Sequence, residues 1–66
     1  MNIAKSIQRY MYLKRLNQGQ LADVSGLTHA TLSRIKHGYI PSLETVVKLA
    51  DGCNVKVSTF IAAGEK

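Results

Sequence analysis

The chain has 66 residues, of which nine are Lys or Arg and four are Asp or Glu, giving a formal net charge of +5 at pH 7. We expect one domain, with no room for a ligand-sensing second domain or a deep substrate cleft. A single cysteine excludes an internal disulfide and favours a reducing compartment over secretion. No apolar run approaches the roughly 18 residues that a membrane helix needs.

The positive charge is distributed unevenly along the chain. Residues 1–36 hold six basic residues against one acidic residue, Asp23, whereas residues 37–66 hold three of each. The whole excess therefore lies in the first half. A local excess of this kind attracts phosphate or another anionic surface, although charge alone is equally consistent with a role in solubility.

The spacing of apolar and capping residues predicts five helices with short connections and no strand. Asn2 is placed to cap a first helix over about 3–15. Within it, Ile3, Ile7 and Tyr10 recur at three- and four-residue spacing, which predicts one buried face.

Two shorter helices follow. Asn17 is placed to cap a helix over about 18–25, and Gly26 suits the left-handed conformation that ends it. Thr28 is the next cap, for a helix over about 29–37. A glycine-type turn between two short helices is typical of a helix pair that crosses at a steep angle.

The last two helices are predicted in the neutral half of the chain. Ser42 caps a helix over about 43–53, and Asn54 is a suitable left-handed terminator. A final helix is expected over about 57–62, and the tail from Gly64 onward is expected to fray.

The third helix has an unusual outward face. Leu32 and Ile35 point inward on a helical wheel, which leaves the opposite side small, polar or basic and without a carboxylate. An ordinary solvated face carries Glu or Asp more often. The face suits insertion into the major groove of DNA, which admits one α-helix.

The chain resembles the phage Cro/repressor and XRE-type regulators in the pattern Gln18-x-x-Leu21-Ala22-x-x-x-Gly26-Leu27-Thr28-x-x-x-Leu32-Ser33-Arg34-Ile35-x-x-Gly38. The resemblance continues through residues 41–50 and covers about 7–61. It implies an all-α, compact five-helix, lambda-repressor-like domain over residues 1–66. The second and third helices would form its helix-turn-helix.

The resemblance also implies a role for each matching position. The residues expected to read base edges are Thr28, His29, Ala30, Ser33 and Arg34. The residues expected near the DNA backbone are Gln18, Lys36, His37, Gly38 and Tyr39, with Lys5 and Arg9 as weaker candidates. Chemistry singles out Arg34, which can pair with O6 and N7 of one guanine, whereas Ala30 can only contact a thymine methyl group.

The sequence departs from the family pattern in three places. Met11 and Lys36 stand where many members pair an Arg with a Glu, so Met11 can fill the gap and Lys36 is released to contact DNA. Ser25 replaces a usual apolar residue and either bonds back to a helical carbonyl or leaves looser packing. Gly52 begins a Gly-Cys-Asn run where Ala-Leu-Gly is common, which weakens the end of the fourth helix.

We therefore expect a sequence-specific regulator of transcription, a Cro-like or XRE-type repressor in the bacterial cytoplasm and nucleoid. One helix pair reads few base pairs, so a homodimer on a near-palindromic operator is expected. Its dimer surface is expected at Val55, Val57, Phe60 and Ile61. A protein-interaction module and an antitoxin-type autorepressor are alternatives with the same fold, and a basic first helix lying on an anionic membrane is another.

No pattern in the chain indicates an enzyme, a metal site, a cofactor or a small-molecule ligand. His29, His37 and Cys53 lack the spacing of metal ligands. Ser42 is placed as a helix cap, with no histidine or aspartate at a spacing that would make it a nucleophile.

Overall fold

The computed structural model describes residues 2–65, and within that range the chain forms five α-helices and no strand. The helices are α1 Ile3–Leu13, α2 Gln18–Ser25, α3 His29–Lys36, α4 Leu43–Gly52 and α5 Val57–Ala63. The predicted all-α, five-helix class is thereby confirmed. None of the helices in residues 2–65 has the length and apolar character needed to cross a membrane.

Side-chain caps begin four of the helices at the predicted residues. Asn2, Thr28 and Ser42 each accept a hydrogen bond from a backbone N–H three residues later. At α2 the capping box is complete, because Asn17 Oδ1 accepts from the Gln20 N–H at 2.8 Å and Gln20 Oε1 accepts from the Asn17 N–H at 2.9 Å. Such caps contribute about 1 kcal/mol each and fix where a helix begins.

Four of the helix ends depart from the predicted ones by one or two residues. α1 ends two residues early because Arg15 adopts the left-handed conformation, at φ 54°, and the Leu16 N–H donates to the Met11 carbonyl at 2.8 Å. Gly26, at φ 75°, ends α2 as predicted, and Asn54, at φ 59°, is left-handed after α4.

One core joins all five helices. Its aromatic centre is the stack of Tyr10 from α1 on Phe60 from α5, with ring centroids 5.5 Å apart and planes at 17°. Met11 packs against the edge of this core, consistent with its replacing a charged residue. The buried apolar residues are Ile3, Ile7, Tyr10, Leu21, Ala22, Leu32, Ile35, Val46, Leu49, Ala50, Cys53, Phe60 and Ala63.

The structure corrects two expectations about the C-terminal part. Phe60 is 0% exposed and belongs wholly to the core, so it offers no surface to a second copy. The other expected dimer residues, Val55, Val57 and Ile61, are half-buried against the core. Gly64 is buried rather than frayed, because it packs so closely on α1 that a Cβ there would meet the Asn2 carbonyl.

Candidate nucleic-acid interface

A tight turn holds α2 and α3 as one unit. The left-handed Gly26 reverses the chain, and the Leu27 N–H donates to the Ala22 carbonyl at 3.1 Å. Leu21 and Leu32 are fully buried on either side of the turn, while Leu27 is half-buried. These contacts fix the angle between the helices and leave one side of α3 to solvent.

The exposed side of α3 carries the residues expected to read bases. Leu32 and Ile35 are buried, as the helical wheel predicts, and the opposite side is open. The exposed members are Thr28, His29, Ala30, Arg34 and His37, and Ser33 is half-buried. The structure therefore brings the expected base-reading residues together on one surface.

Thr28 already has two partners within this surface. Its Oγ1 accepts a hydrogen bond from the Thr31 N–H at 3.1 Å and lies 3.0 Å from the Thr31 hydroxyl. The primary role of Thr28 is thus to begin α3, and its capacity for a further partner is reduced.

Gln18 ties the start of α2 to both ends of α3. Its Nε2 donates to the His29 carbonyl at 3.3 Å, and its Oε1 accepts from Lys36 Nζ at 3.4 Å. The His29 ring lies over Gly19, where a Cβ would stand 3.2 Å from Nε2. An ammonium held by the side chain that begins α2, where the positive end of the helix dipole lies, is an arrangement that favours an anion.

Arg34 and Tyr39 form a contact that sequence reasoning missed. The Cζ of Arg34 lies 4.5 Å from the centroid of the Tyr39 ring. The chain folds back because Gly38 is at φ 107°, and the Tyr39 N–H donates to the Arg34 carbonyl at 2.9 Å. The only sequence signal for this contact was a glycine just after α3, followed by an aromatic residue.

His37 bonds back onto α3. Its Nδ1 lies 2.7 Å from the Ser33 carbonyl oxygen. A carbonyl oxygen only accepts, so Nδ1 carries the hydrogen and Nε2 is the ring nitrogen left for another partner.

The two weaker backbone candidates lie on α1. Lys5 and Arg9 are both exposed. Arg9 borders a shallow depression with Thr59 and Ala62 of α5.

The charged side chains of this surface are all basic. Residues 28–43 contain Arg34 and Lys36 and no carboxylate. Across residues 2–65 there is no cluster of three or more His, Cys, Asp or Glu side chains that could hold a metal ion. The arrangement is suited to an anionic polymer that presents both phosphates and hydrogen-bonding edges.

Comparison with known proteins matches the chain to a family model. A sequence model described as helix-turn-helix matches residues 7–60, which include the whole of α2, α3 and α4. No curated protein and no solved structure matches the chain.

Proposed function

Because the chain belongs to the phage Cro/repressor and XRE-type family of helix-turn-helix DNA-binding regulators, we propose that it is a repressor that binds a near-palindromic operator. In this proposal α3 enters the major groove and the start of α2 rests on the sugar-phosphate backbone, the docking geometry common to helix-turn-helix proteins. Repression follows from occupying the operator.

The observation that carries the proposal is the open, acid-free surface formed by α3 and the loop after it. Residues 28–43 hold two cationic side chains and no carboxylate, while the inward residues Leu32 and Ile35 anchor α3 to the core. A rigid helix with a polar and basic outer face matches the width and the potential of the major groove.

The proposed base contacts divide by chemistry. Arg34 donates two hydrogen bonds to one guanine, a pairing worth about 1–3 kcal/mol of discrimination. Ala30, one turn earlier, contacts a thymine methyl group. His29 and Ser33 can each donate or accept a hydrogen bond, so either a donor or an acceptor on a base edge can pair with them.

The proposed backbone contacts lie at both ends of α3. Gln18 and Lys36 meet at the start of α2, where a phosphate oxygen gains an ammonium, an amide and the helix dipole together. His37, Gly38 and Tyr39 lie at the other end, in the turn after α3.

We propose that two copies bind together, because one helix pair reads too few base pairs for useful specificity. The half-site centres would stand about 34 Å apart, one helical turn of DNA. The dimer surface we propose is the edge of α5 and the loop before it, at Val55, Val57 and Ile61, all of which are half-buried in the protomer.

A second candidate function is binding to a protein partner, as in an antitoxin-type autorepressor. The observation that favours it is a pair of exposed apolar side chains at the end of α1, Tyr12 at 83% and Leu13 at 55%. Exposed apolar residues that adjoin one another are typical of protein-binding surfaces. In this case the DNA surface and the partner surface would be separate.

The test is selection of bound duplexes from a random DNA library at about 0.15 M salt, followed by sequencing. We expect a two-fold symmetric consensus, and we expect Arg34→Ala to remove the preference at one position of each half-site while the fold is retained. Binding without enrichment contradicts specific regulation. No binding to DNA, with capture of a protein partner that does not weaken with salt, favours a protein-interaction module. Partner capture beside operator binding favours the antitoxin-type autorepressor.

A further inference from the structure

We infer that Tyr39 is a positioning residue that determines how strongly the protein prefers guanine, because it holds the Arg34 guanidinium in the orientation that reads the base. The inference rests on the proposed function, since it concerns the same surface. It assigns Tyr39 a part in base discrimination in place of the sequence-independent backbone contact expected from its place in the chain.

The backbone conformation after α3 holds Tyr39 next to Arg34. Gly38 at φ 107° directs the chain back along α3, a conformation that other residues rarely adopt. The Tyr39 N–H then donates to the Arg34 carbonyl at 2.9 Å, so the two residues are joined by their main chains. With the backbones held, the Tyr39 ring lies 4.5 Å from Arg34 Cζ.

The contact leaves the guanidinium able to read a base. Arg34 Cζ lies over the Tyr39 ring, and a guanidinium that stacks on an aromatic ring does so through its face. The N–H donors that pair with guanine O6 and N7 project from the edges of the plane. Stacking therefore restricts the long side chain without consuming its donors.

The chain around Arg34 offers it no acidic partner. The stretch 28–43 contains no carboxylate that could pair with it. Without the ring, Arg34 would have to lose its rotamer freedom on binding, which lowers affinity by roughly two- to twelvefold for one long side chain. This loss of affinity would affect only the DNA sequences in which Arg34 makes its bidentate contact with guanine.

Two roles of Tyr39 can be separated by its chemistry. The hydroxyl can donate to a phosphate oxygen, and this contact is the same for every DNA sequence. The ring acts on Arg34, so its effect depends on the base opposite Arg34. Tyr39→Phe removes the hydroxyl and keeps the ring, whereas Tyr39→Leu removes both.

The experiment compares affinities for two duplexes, the selected consensus and the same duplex with the guanine that depends on Arg34 replaced by adenine. The quantity measured is the dissociation constant for the adenine duplex divided by that for the guanine duplex. It is measured for wild type, Tyr39→Phe and Tyr39→Leu. The matched control is Ile40→Ala, the next residue in the same loop, which is 76% exposed. Thermal unfolding of each variant checks the fold.

We expect Tyr39→Leu to lower the ratio by about three- to tenfold, the scale of ordering one long side chain. Tyr39→Phe and Ile40→Ala should keep the wild-type ratio. In the free wild-type protein the δ-methylene protons of Arg34 should show a ring-current shift in NMR spectra, which Tyr39→Phe keeps and Tyr39→Leu abolishes.

Three results overturn the inference while the proposed function stands. One is an unchanged ratio in Tyr39→Leu. Another is a uniform loss of affinity for both duplexes, which identifies a backbone contact. The third is a higher ratio, which means that the ring holds Arg34 away from the groove. If wild type shows no base preference that depends on Arg34, the proposed base readout fails first and the inference fails with it.

Discussion

Ser25 and Gly52 bring α2 and α4 into backbone contact, because an ideal Cβ on Gly52 would lie 2.9 Å from Ser25 Cα and 3.0 Å from Ser25 N. The Ser25 hydroxyl donates to the Leu21 carbonyl at 2.7 Å, which confirms one of the two interpretations left open by the sequence. Both residues depart from the usual family pattern. The structure shows that the two departures form one contact, in which close approach offsets the low helix propensity of Gly52.

We predict that Gly52→Ala lowers the free energy of unfolding by up to about 2 kcal/mol, since overpacking against fixed backbone costs ~1–3 kcal/mol and the gain in helix propensity returns ~1 kcal/mol. The matched control is Gly19→Ala in α2, where the nearest atom to an added Cβ belongs to the His29 side chain, at 3.2 Å, and can move. Urea unfolding measures the free energy of unfolding of both variants relative to wild type. A Gly52→Ala protein more stable than wild type would show that α2 and α4 do not meet this closely.

We predict that Lys36→Met reduces the salt dependence of DNA binding. If Lys36 neutralises one phosphate at the start of α2, the slope of log affinity against log salt should become shallower by about 0.9. Titrations at several salt concentrations measure the slope. Lys48→Met, an equal charge change on an exposed residue of α4, should leave the slope unchanged. Equal effects from both variants would assign the change to net charge and remove Lys36 from the interface.

We predict that Val57→Asp weakens self-association without unfolding the protomer. Val57 is the first residue of α5, where a carboxylate is favourable to the helix dipole. In an apolar dimer contact the same carboxylate would be buried unpaired, which should weaken association by about tenfold or more. Sedimentation equilibrium measures the association constant. Ser58→Asp, one residue further on and exposed, is the control, and equal association in the two variants would place the interface elsewhere.

We predict that the Cys53 thiol makes the fold less stable at alkaline pH. Burial raises the pKa of Cys53 above its ordinary value, and the nearby positive charge of Lys14 opposes this only in part. Above the ordinary value the unfolded chain loses its thiol proton while the folded chain keeps it. The stabilisation present at lower pH is then lost by up to about 1.4 kcal/mol per pH unit until the folded thiol ionises.

The measurement is urea unfolding of wild type and Cys53→Ala between neutral and alkaline pH. The difference in unfolding free energy between the two proteins cancels the titration of tyrosine and lysine side chains. We expect wild type to lose its advantage as pH rises. A difference that does not change with pH would mean that Cys53 titrates alike in the folded and unfolded chains.

The starts of α1 to α4 were predictable because each depends on one side chain bonding to the next turn. Asn2, Asn17, Thr28 and Ser42 do so where the sequence indicates. The end of α1 was not predictable, since Arg15 takes the left-handed conformation that a sequence pattern assigns to glycine or asparagine.

The residues that share the exposed side of α3 could be predicted from the sequence, but the contacts between their side chains could not. A helical wheel of α3 places Leu32 and Ile35 on the opposite side from Arg34, from the rotation of about 100° per residue alone. The stack of Arg34 on Tyr39 depends on the φ angle of Gly38 and on a side-chain rotamer, neither of which a residue pattern contains.

The stack of Tyr10 on Phe60 also determines when the protein can fold during its synthesis. The two rings come from α1 and α5, so the core cannot close until Phe60 has left the ribosome. Until then the nascent chain presents the apolar side of α1, with Ile3 and Ile7, to the surrounding cell.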